Sequence, residues 1–271
     1  VVAMLHQTHI GADADPVNII FGGLKTSLAD YTGMHISTDL SDILFGTPKP
    51  TVSEANLGVL KEDKVNVVVH GHNPLLSQTV VDVAQEMESE AKAAGAAGIQ
   101  ISGICCTGNE VLMRSGVPLA TNFASQELAI MTGAVDVMVV DVQCIMPSIR
   151  NVAECFKTKI VTTMDNSKIP GSHHFAFDEN RAVESAKGII RLAIDTFKER
   201  KGNACDIPQV KSKVVAGFSV EAILELFASI NPDKPISVLT DAIEAGELAG
   251  VALFAGCNNL EAVHDHAHIT V

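Results

Sequence analysis

The sequence predicts an α/β fold built on a doubly wound parallel sheet, and three observations carry that prediction. Short apolar runs at 65–69, 99–104 and 137–142, and again at 251–255, have the length and Val/Ile content of buried strands. Segments with apolar residues at helical spacing lie between the strand-like runs, as right-handed crossovers between parallel strands require. The chain is 47% hydrophobic and 19% charged, with no Trp and one Tyr. Its core must therefore rest on Val, Ile, Leu, Ala and Met, which suits strands covered by helices on both faces.

Residues 1–50 read as the end of a helical domain. Asp15-Pro16 is a helix start, followed by Val17, Ile20, Leu24 and Leu28 at helical spacing, and a second short helix is expected over 39–44. Alternation of strands and helices begins at 51. Residues 53–61 read as a helix with Ser53 as N-cap, 65–69 as a strand and 75–94 as a helix closed near Gly95. Strand 99–104 follows, then a helix over 110–114, a short strand at 119–121 and a helix over 125–132. Strand 137–142, helix 148–155, strand 160–163 and helix 181–200 complete a Rossmann-like unit over 51–200. The polar stretch 201–211 is a linker. Strand 214–217, helices 220–228 and 237–245 and strand 251–255 then open a second, truncated Rossmann-like domain over 201–271. The ends of the chain, at Val1 and in a strand-like Ile269-Thr-Val271, lead us to expect an internal fragment of a longer protein.

The net charge of −13 argues against a nucleic-acid surface, which needs a basic stripe. No stretch of about 18 uncharged apolar residues marks a membrane span. Even the run 137–142 is flanked by Asp136 and interrupted by Asp141. Six cysteines in 271 residues are too few for a secreted disulfide scaffold and suggest a reducing cytoplasm with buried or metal-binding thiols.

Those thiols sit where chemistry is expected. Four strand-like runs end on soft metal-ligand residues: 65–69 on His70-Gly-His72, 99–104 on Cys105-Cys106, 137–142 on Gln143-Cys144, and 251–255 on Gly256-Cys257. In open α/β sheets the carboxyl ends of the strands form the ligand crevice, and thiolate with imidazole suits iron, nickel, copper or zinc. His72, Cys106, Cys144 and Cys257 are spaced by 34, 38 and 113 residues with no CxxC pair, so only convergence in space would make them one site. Other candidates have plainer readings. Cys155 is a small hydrophobe buried in a helix, Cys205 is incidental to the linker, and His70 is a hydrogen-bonded strand residue. His264, His266 and His268 alternate as on one strand face, which suits a metal or a polar surface equally. His173-His174 sits in a loop without an evident partner. The fingerprints of dinucleotide, P-loop and nucleophile-elbow sites are missing.

Taken in order, His9-Ile-Gly-Ala-Asp-Ala-Asp-Pro16, Leu40-Ser-Asp-Ile-Leu-Phe-Gly-Thr-Pro48, Val69-His-Gly-His-Asn-Pro74, Gly103-Ile-Cys-Cys-Thr-Gly-Asn-Glu110, Asp141-Val-Gln-Cys144 and Ala255-Gly-Cys-Asn-Asn259 closely resemble the nickel-dependent, anaerobic carbon monoxide dehydrogenases. The resemblance runs along the whole chain. It implies the interconversion of CO and CO2, with water, two protons and two electrons, at a Ni-4Fe-4S type cluster. By motif position, His72 and Cys106 resemble ligands of the iron outside the cubane, Cys144 and Cys257 resemble cysteines on cubane irons, and Cys105 resembles a neighbouring thiol. Asp30 resembles an acid that supports a proton-handling histidine outside this chain. The resemblance further implies a homodimer, a ferredoxin-like electron acceptor and membership of an acetyl-CoA synthase complex. The 4Fe-4S electron-transfer clusters, two further cluster cysteines and a catalytic Lys of the family have no counterpart in these residues. Two other readings compete: a hybrid-cluster protein of the hydroxylamine reductase type, against which Cys-Cys-Thr-Gly-Asn-Glu argues, and a non-catalytic α/β binding module with buried thiols.

Overall fold

A computed structural model describes residues 2–250 and Thr270. The chain divides into two compact units, Val1–Thr47 and Pro48–Val271. The first holds α1 (Val2–Thr8), a 3-10 turn at His9–Gly11 and α2 (Pro16–Phe45). Asp15 caps α2, its Oδ1 accepting from the N–H groups of Val17 at 2.9 Å and Asn18 at 3.0 Å, with Pro16 in the first turn. The separate helix expected over 39–44 is the last part of α2. No proline lies between 28 and 39 to break the helix, and the hydroxyls of Thr32 and Thr38 bond back to carbonyls four residues earlier within it.

The second unit runs β1 (Thr51–Ala55), β2 (Val65–His70), α3 (Pro74–Glu86), α4 (Glu88–Ala93), β3 (Ile99–Ile104), α5 (Cys105–Ser115), β4 (Leu119–Thr121), α6 (Gln126–Met131), β5 (Val137–Val140), α7 (Ile149–Phe156), β6 (Lys159–Thr162), β7 (His173–His174), α8 (Ala182–Arg200), β8 (Ser212–Ala216), α9 (Val220–Ile230) and α10 (Ser237–Glu244). Four of these depart from sequence expectation. Residues 51–55 form a strand where a helix was expected from 53 to 61, and Ser53 Oγ donates to the Gly116 carbonyl at 2.7 Å instead of capping. Pairing along the whole of β8 outweighs a weak local helical preference. The helix expected over 75–94 breaks at Met87, whose side chain is buried in the core. The helix expected to begin at 110 begins at Cys105, so the thiol pair occupies a first helical turn and not a strand end. The strand expected at 214–217 is β8, which lies on the edge of the same sheet, antiparallel to β1.

The eight strands lie in the order β7-β6-β5-β2-β3-β4-β1-β8, and the pairs other than β1 with β8 are parallel. From β2 the chain steps outward through β3 to β4, then returns across β2 to β5 and steps the other way through β6 to β7. The direction of winding thus reverses between β2 and β5, and their carboxyl ends flank the switch point of the sheet.

Alternation along β2 sorts the two core layers. Val65, Val67 and Val69 face α3 and α8, packing with Val80, Val83, Ile189, Ile190 and Ala193. Val68 faces α6 and α7 with Met138, Val140, Ile130, Ile149 and Ala153. All are nearly dry, and each Val so buried contributes about 1.5–3 kcal/mol before the entropy of ordering. At the amino end of the sheet, Arg200 (3% exposed) forms a two-pronged ion pair with Asp136 (0%), at 2.7 Å and 3.2 Å. Arg200 also donates to the carbonyls of Glu62 at 3.2 Å and Lys64 at 2.9 Å, which ties α8 to the start of β2. Cys205 belongs to this cluster: Arg200 Nη1 lies 3.5 Å from its thiol, so it is not incidental to the linker. Cys155 is exposed on α7, contrary to its expected burial. His174 also has partners, Thr162 Oγ1 at 3.0 Å and Asp165 Oδ1 at 3.2 Å. Among the described residues no helix is long and apolar enough to cross a membrane.

Candidate functional site at the switch point

At the switch point β2 and β5 run into loops that carry His72 and Cys144, and the neighbouring β3 runs directly into α5, whose first turn carries Cys105-Cys106. The first turns sharply at Gly71, whose φ of +132° is closed to most L side chains and whose Cα faces the Asp141 carboxylate. Asp141 closes β5 and is 2% exposed. Its Oδ1 accepts from the His72 N–H at 2.6 Å and from the Val142 N–H, and its Oδ2 accepts from the Asn73 N–H at 2.7 Å. Burial raises this carboxyl above its ordinary value, with the three N–H donors pulling against the rise. One carboxylate thereby holds the loop after β2 against the loop after β5.

That clamp sets the imidazole. His72 Nδ1 lies 2.9 Å from the Val142 carbonyl, an acceptor only, so Nδ1 carries the proton and Nε2 keeps its lone pair. Nε2 is directed at Cys144 Sγ, 4.0 Å away. A ligating histidine has this form, with its second nitrogen donating to a carbonyl that fixes ring and tautomer. Cys144 is half-buried and, like Gln143 before it, has a left-handed backbone, with φ of 55° and 59°. Cys105 is left-handed as well, at φ 61°. Three of the five described non-glycine residues with positive φ are thus in this site, a strain that persists only where surrounding bonds hold it.

Cys105 is buried and Cys106 exposed at the start of α5. The strand ends against the helix because Gly103 and Gly108 are in backbone contact: a Cβ on Gly103 would lie 2.4 Å from the Gly108 Cα. The Thr107 N–H, one of the unpaired first-turn donors of α5, is taken by the Gly71 carbonyl at 2.8 Å. This bond joins the thiol pair to the turn that carries His72.

His70 ends β2 one pleat from the site. It is 1% exposed, and its Nε2 lies 3.0 Å from Gln126 Oε1. Burial pushes this imidazole down to about 4. The structure therefore sets His72 beside Cys144, at 4.0 Å, and puts the Cys105-Cys106 turn at the end of β3, the neighbour of β2. Asp30 is exposed in α2, in the other compact unit. Cys257 and the 264–268 histidines lie outside the described residues. Among the described residues no three His, Cys, Asp or Glu groups come close enough to hold a metal ion, so the described residues do not by themselves make up the expected four-ligand set. Sequence reasoning missed Asp141 and Gln126 as site residues. For Asp141 a signal existed, an acidic residue closing an apolar strand run, which must find partners when buried.

Comparison with known proteins gives the family. The Prismane/CO dehydrogenase family model matches residues 1–271. The chain is 62% identical over 270 residues to the carbon monoxide dehydrogenase/acetyl-CoA synthase subunit beta of Moorella thermoacetica, covering 99% of this chain and 40% of the relative. It is 57% identical to carbon monoxide dehydrogenase 1 of Carboxydothermus hydrogenoformans, covering 100% of this chain and 43% of the relative. The chain thus spans less than half the length of these relatives. Among solved structures it is similar to carbon monoxide dehydrogenase IV of Carboxydothermus hydrogenoformans, with a TM-score of 0.92 at 56% identity over 98% of this chain and 42% of the other. A structure of acetyl-CoA synthase/carbon monoxide dehydrogenase described with NiZn-Fe4S4 and NiNi-Fe4S4 clusters in its alpha subunits matches with a TM-score of 0.93 at 61% identity, over 99% of this chain and 40% of that one.

Proposed function

The chain belongs to the Prismane/CO dehydrogenase family, and from that premise we propose that the protein containing it oxidises CO reversibly, CO + H2O → CO2 + 2 H+ + 2 e−. The observation that carries the reading is the His72 ring, pinned at Nδ1 and presenting Nε2 to the Cys144 thiol at the switch point. The donor set fits a nickel–iron–sulfur cluster: a soft thiol and a borderline imidazole, side by side on strained loops held by Asp141. His72 and Cys106 would hold an iron outside the cubane, Cys144 and Cys257 would hold cubane irons, and Cys105 would stand beside them. When bound, such a cluster binds the carbon substrate and takes up the two electrons.

The residues of this chain orient and enclose. Asp141 fixes the approach of His72, and its bonds are spent on backbone N–H groups, leaving it poorly placed to take substrate protons. Val68, Ile104 and Val140 form a dry floor beneath the loops, which limits water at a low-potential centre. Asp30 would support a proton-handling histidine from another part of the protein. The same reading includes a cytoplasmic homodimer in an anaerobic cell, a ferredoxin-like acceptor, electron-transfer 4Fe-4S clusters and an acetyl-CoA synthase complex. Its domain division is 1–50, 51–200 and 201–271. The break between compact units after Thr47 supports the first boundary.

The test is anaerobic purification of the full-length protein with nickel, iron and sulfide analysis and an assay of CO-dependent viologen reduction. Nickel with iron and sulfide, and viologen reduction by CO, are expected. Iron and sulfide without nickel, together with hydroxylamine reduction, would replace this reading by the hybrid-cluster one. A colourless, metal-free protein would replace it by the binding module.

A further inference from the structure

Gln126 begins α6 with no exposed surface, and its carboxamide uses all four of its hydrogen-bonding positions. Nε2 donates to the carbonyls of Phe123 at 2.9 Å and Cys144 at 3.0 Å. Oε1 accepts from the Met146 N–H at 3.0 Å and from His70 Nε2, also at 3.0 Å. The amide cannot be turned over, since a reversed group would set NH2 against the Met146 N–H and oxygen against two carbonyls. His70 therefore carries its proton on Nε2, and its buried Nδ1 has no hydrogen-bond partner among the described residues.

The two bonds to 144 and 146 bracket a stretch that local preference disfavours. Gln143 and Cys144 are consecutive non-glycine residues in the left-handed region, each costing on the order of 1–3 kcal/mol unless the surroundings impose it. Asp141 holds the loop only from its start, through the Val142 N–H. Past that point Gln126 supplies the side-chain bonds to the main chain of 144 and 146. Hydrogen bonds in so dry a place are costly to break.

We propose that Gln126 is a positioning residue for Cys144, its carboxamide holding residues 144–146 in the left-handed loop that directs the thiol at His72, with His70 as the buttress that fixes the amide. The positioning matters for catalysis through the reading of Cys144 as a cluster ligand, on which that consequence rests. His70 needs no contact with substrate in this role, and its place on the central strand makes it a rigid support for α6.

The experiment uses the full-length protein in two states. In the metal-free state, alkylation of individual cysteines by iodoacetamide is followed by mass spectrometry in wild type, Gln126→Met, Gln126→Glu and His70→Gln. Gln126→Met removes all four bonds at nearly constant volume. Gln126→Glu keeps the acceptor but loses both donors. The expected result is a rise of about fivefold or more in the Cys144 rate for both Gln126 variants and a smaller rise for His70→Gln, as loss of roughly one buried hydrogen bond implies. The rates of Cys155 and half-buried Cys205 should stay unchanged. In the metal-loaded state, the electron paramagnetic resonance spectrum of the nickel–iron centre should shift in Gln126→Glu, with the signals of electron-transfer clusters unaltered. A wild-type Cys144 rate in all three variants, or a rise shared equally by Cys205, overturns the proposal. A wild-type protein with no nickel–iron–sulfur signal would overturn the functional reading instead, while the alkylation rates still decide the role of Gln126.

Discussion

Gly71→Ala is the sharpest perturbation of the switch point, because its cost can be worked from two independent observations. The backbone φ of +132° lies where an L residue pays about 1–3 kcal/mol in strain. A methyl group there would also stand 1.8 Å from Asp141 Oδ1 and 2.4 Å from its Cγ, so the carboxylate must move by more than an ångström. Such a movement forfeits its bonds to the N–H groups of His72 and Asn73, and hydrogen bonds to a charged group are worth about 1.5–3 kcal/mol each. Together these put the cost at 4 kcal/mol or more. A double-mutant cycle separates clash from strain. In Asp141→Ala the N–H bonds are already gone, so adding Gly71→Ala should cost only the strain, and the two changes should fall short of additivity by about 3 kcal/mol. Native-state hydrogen exchange on peptides covering 66–74 and 137–146 of the intact protein reads the local opening free energy at this place, which a global melt of a multi-domain protein does not. Exchange at the wild-type rate in Gly71→Ala, or strict additivity in the cycle, would refute the clamp.

In the intact enzyme, Cys106→Ala should abolish CO-dependent viologen reduction while clusters held elsewhere keep the protein brown. Cys155→Ala, at an exposed position whose sulfur lies 3.9 Å from the Asn151 carbonyl, should change stability by no more than about 0.5 kcal/mol and leave activity intact; equal losses in the two variants would deny Cys106 a ligand role. Arg200→Met should destabilise by about 3–5 kcal/mol, read by exchange at the start of β2, because it leaves the Asp136 carboxylate buried without its cation. The pH dependence has a definite sign. His70 is held down to about 4 from an ordinary 6.5, so above pH 6.5 its neutral form stabilises the fold fully, and the contribution is lost as pH falls through 6.5 toward 4. The loss amounts to about 3 kcal/mol at 1.36 kcal/mol per pH unit. Asp136, pushed up to about 6 by burial, acts in the opposite sense over an overlapping range. The stability gap between wild type and His70→Gln, measured from pH 7 to pH 4 on metal-free protein, isolates the histidine and should shrink; a constant gap would contradict a buried neutral imidazole.

What the sequence makes legible here is whatever a short window decides. The runs 65–69 and 99–104 are strands because they are apolar and β-branched over the length of a strand, and helices bury both faces of the sheet they form. The thiols and imidazoles that follow them are legible as a rim for the same reason, since a ligand residue just past a buried strand has only one end of the sheet to occupy. Residues 51–55 fail the same test because their strand exists through pairing with 212–216, more than 150 positions away. The site shows the same division. His72 and Cys144 are visible as chemical types, but what aims them is not: Asp141 reaches back across the sheet to the N–H groups of 72 and 73, and Gln126 reaches from another helix to the carbonyl of 144. Their residue types carry no mark of this work, because a carboxylate or an amide that bonds to main chain looks the same in sequence as one that faces water. The physical trace they leave is a cost. A buried Asp at the end of an apolar run and two adjacent left-handed residues, the second bearing a thiol, are each unfavourable alone and stable only together. In a doubly wound sheet, such unfavourable residues past the carboxyl ends of the strands flanking the switch point therefore mark the support of the site as surely as soft ligands mark its centre.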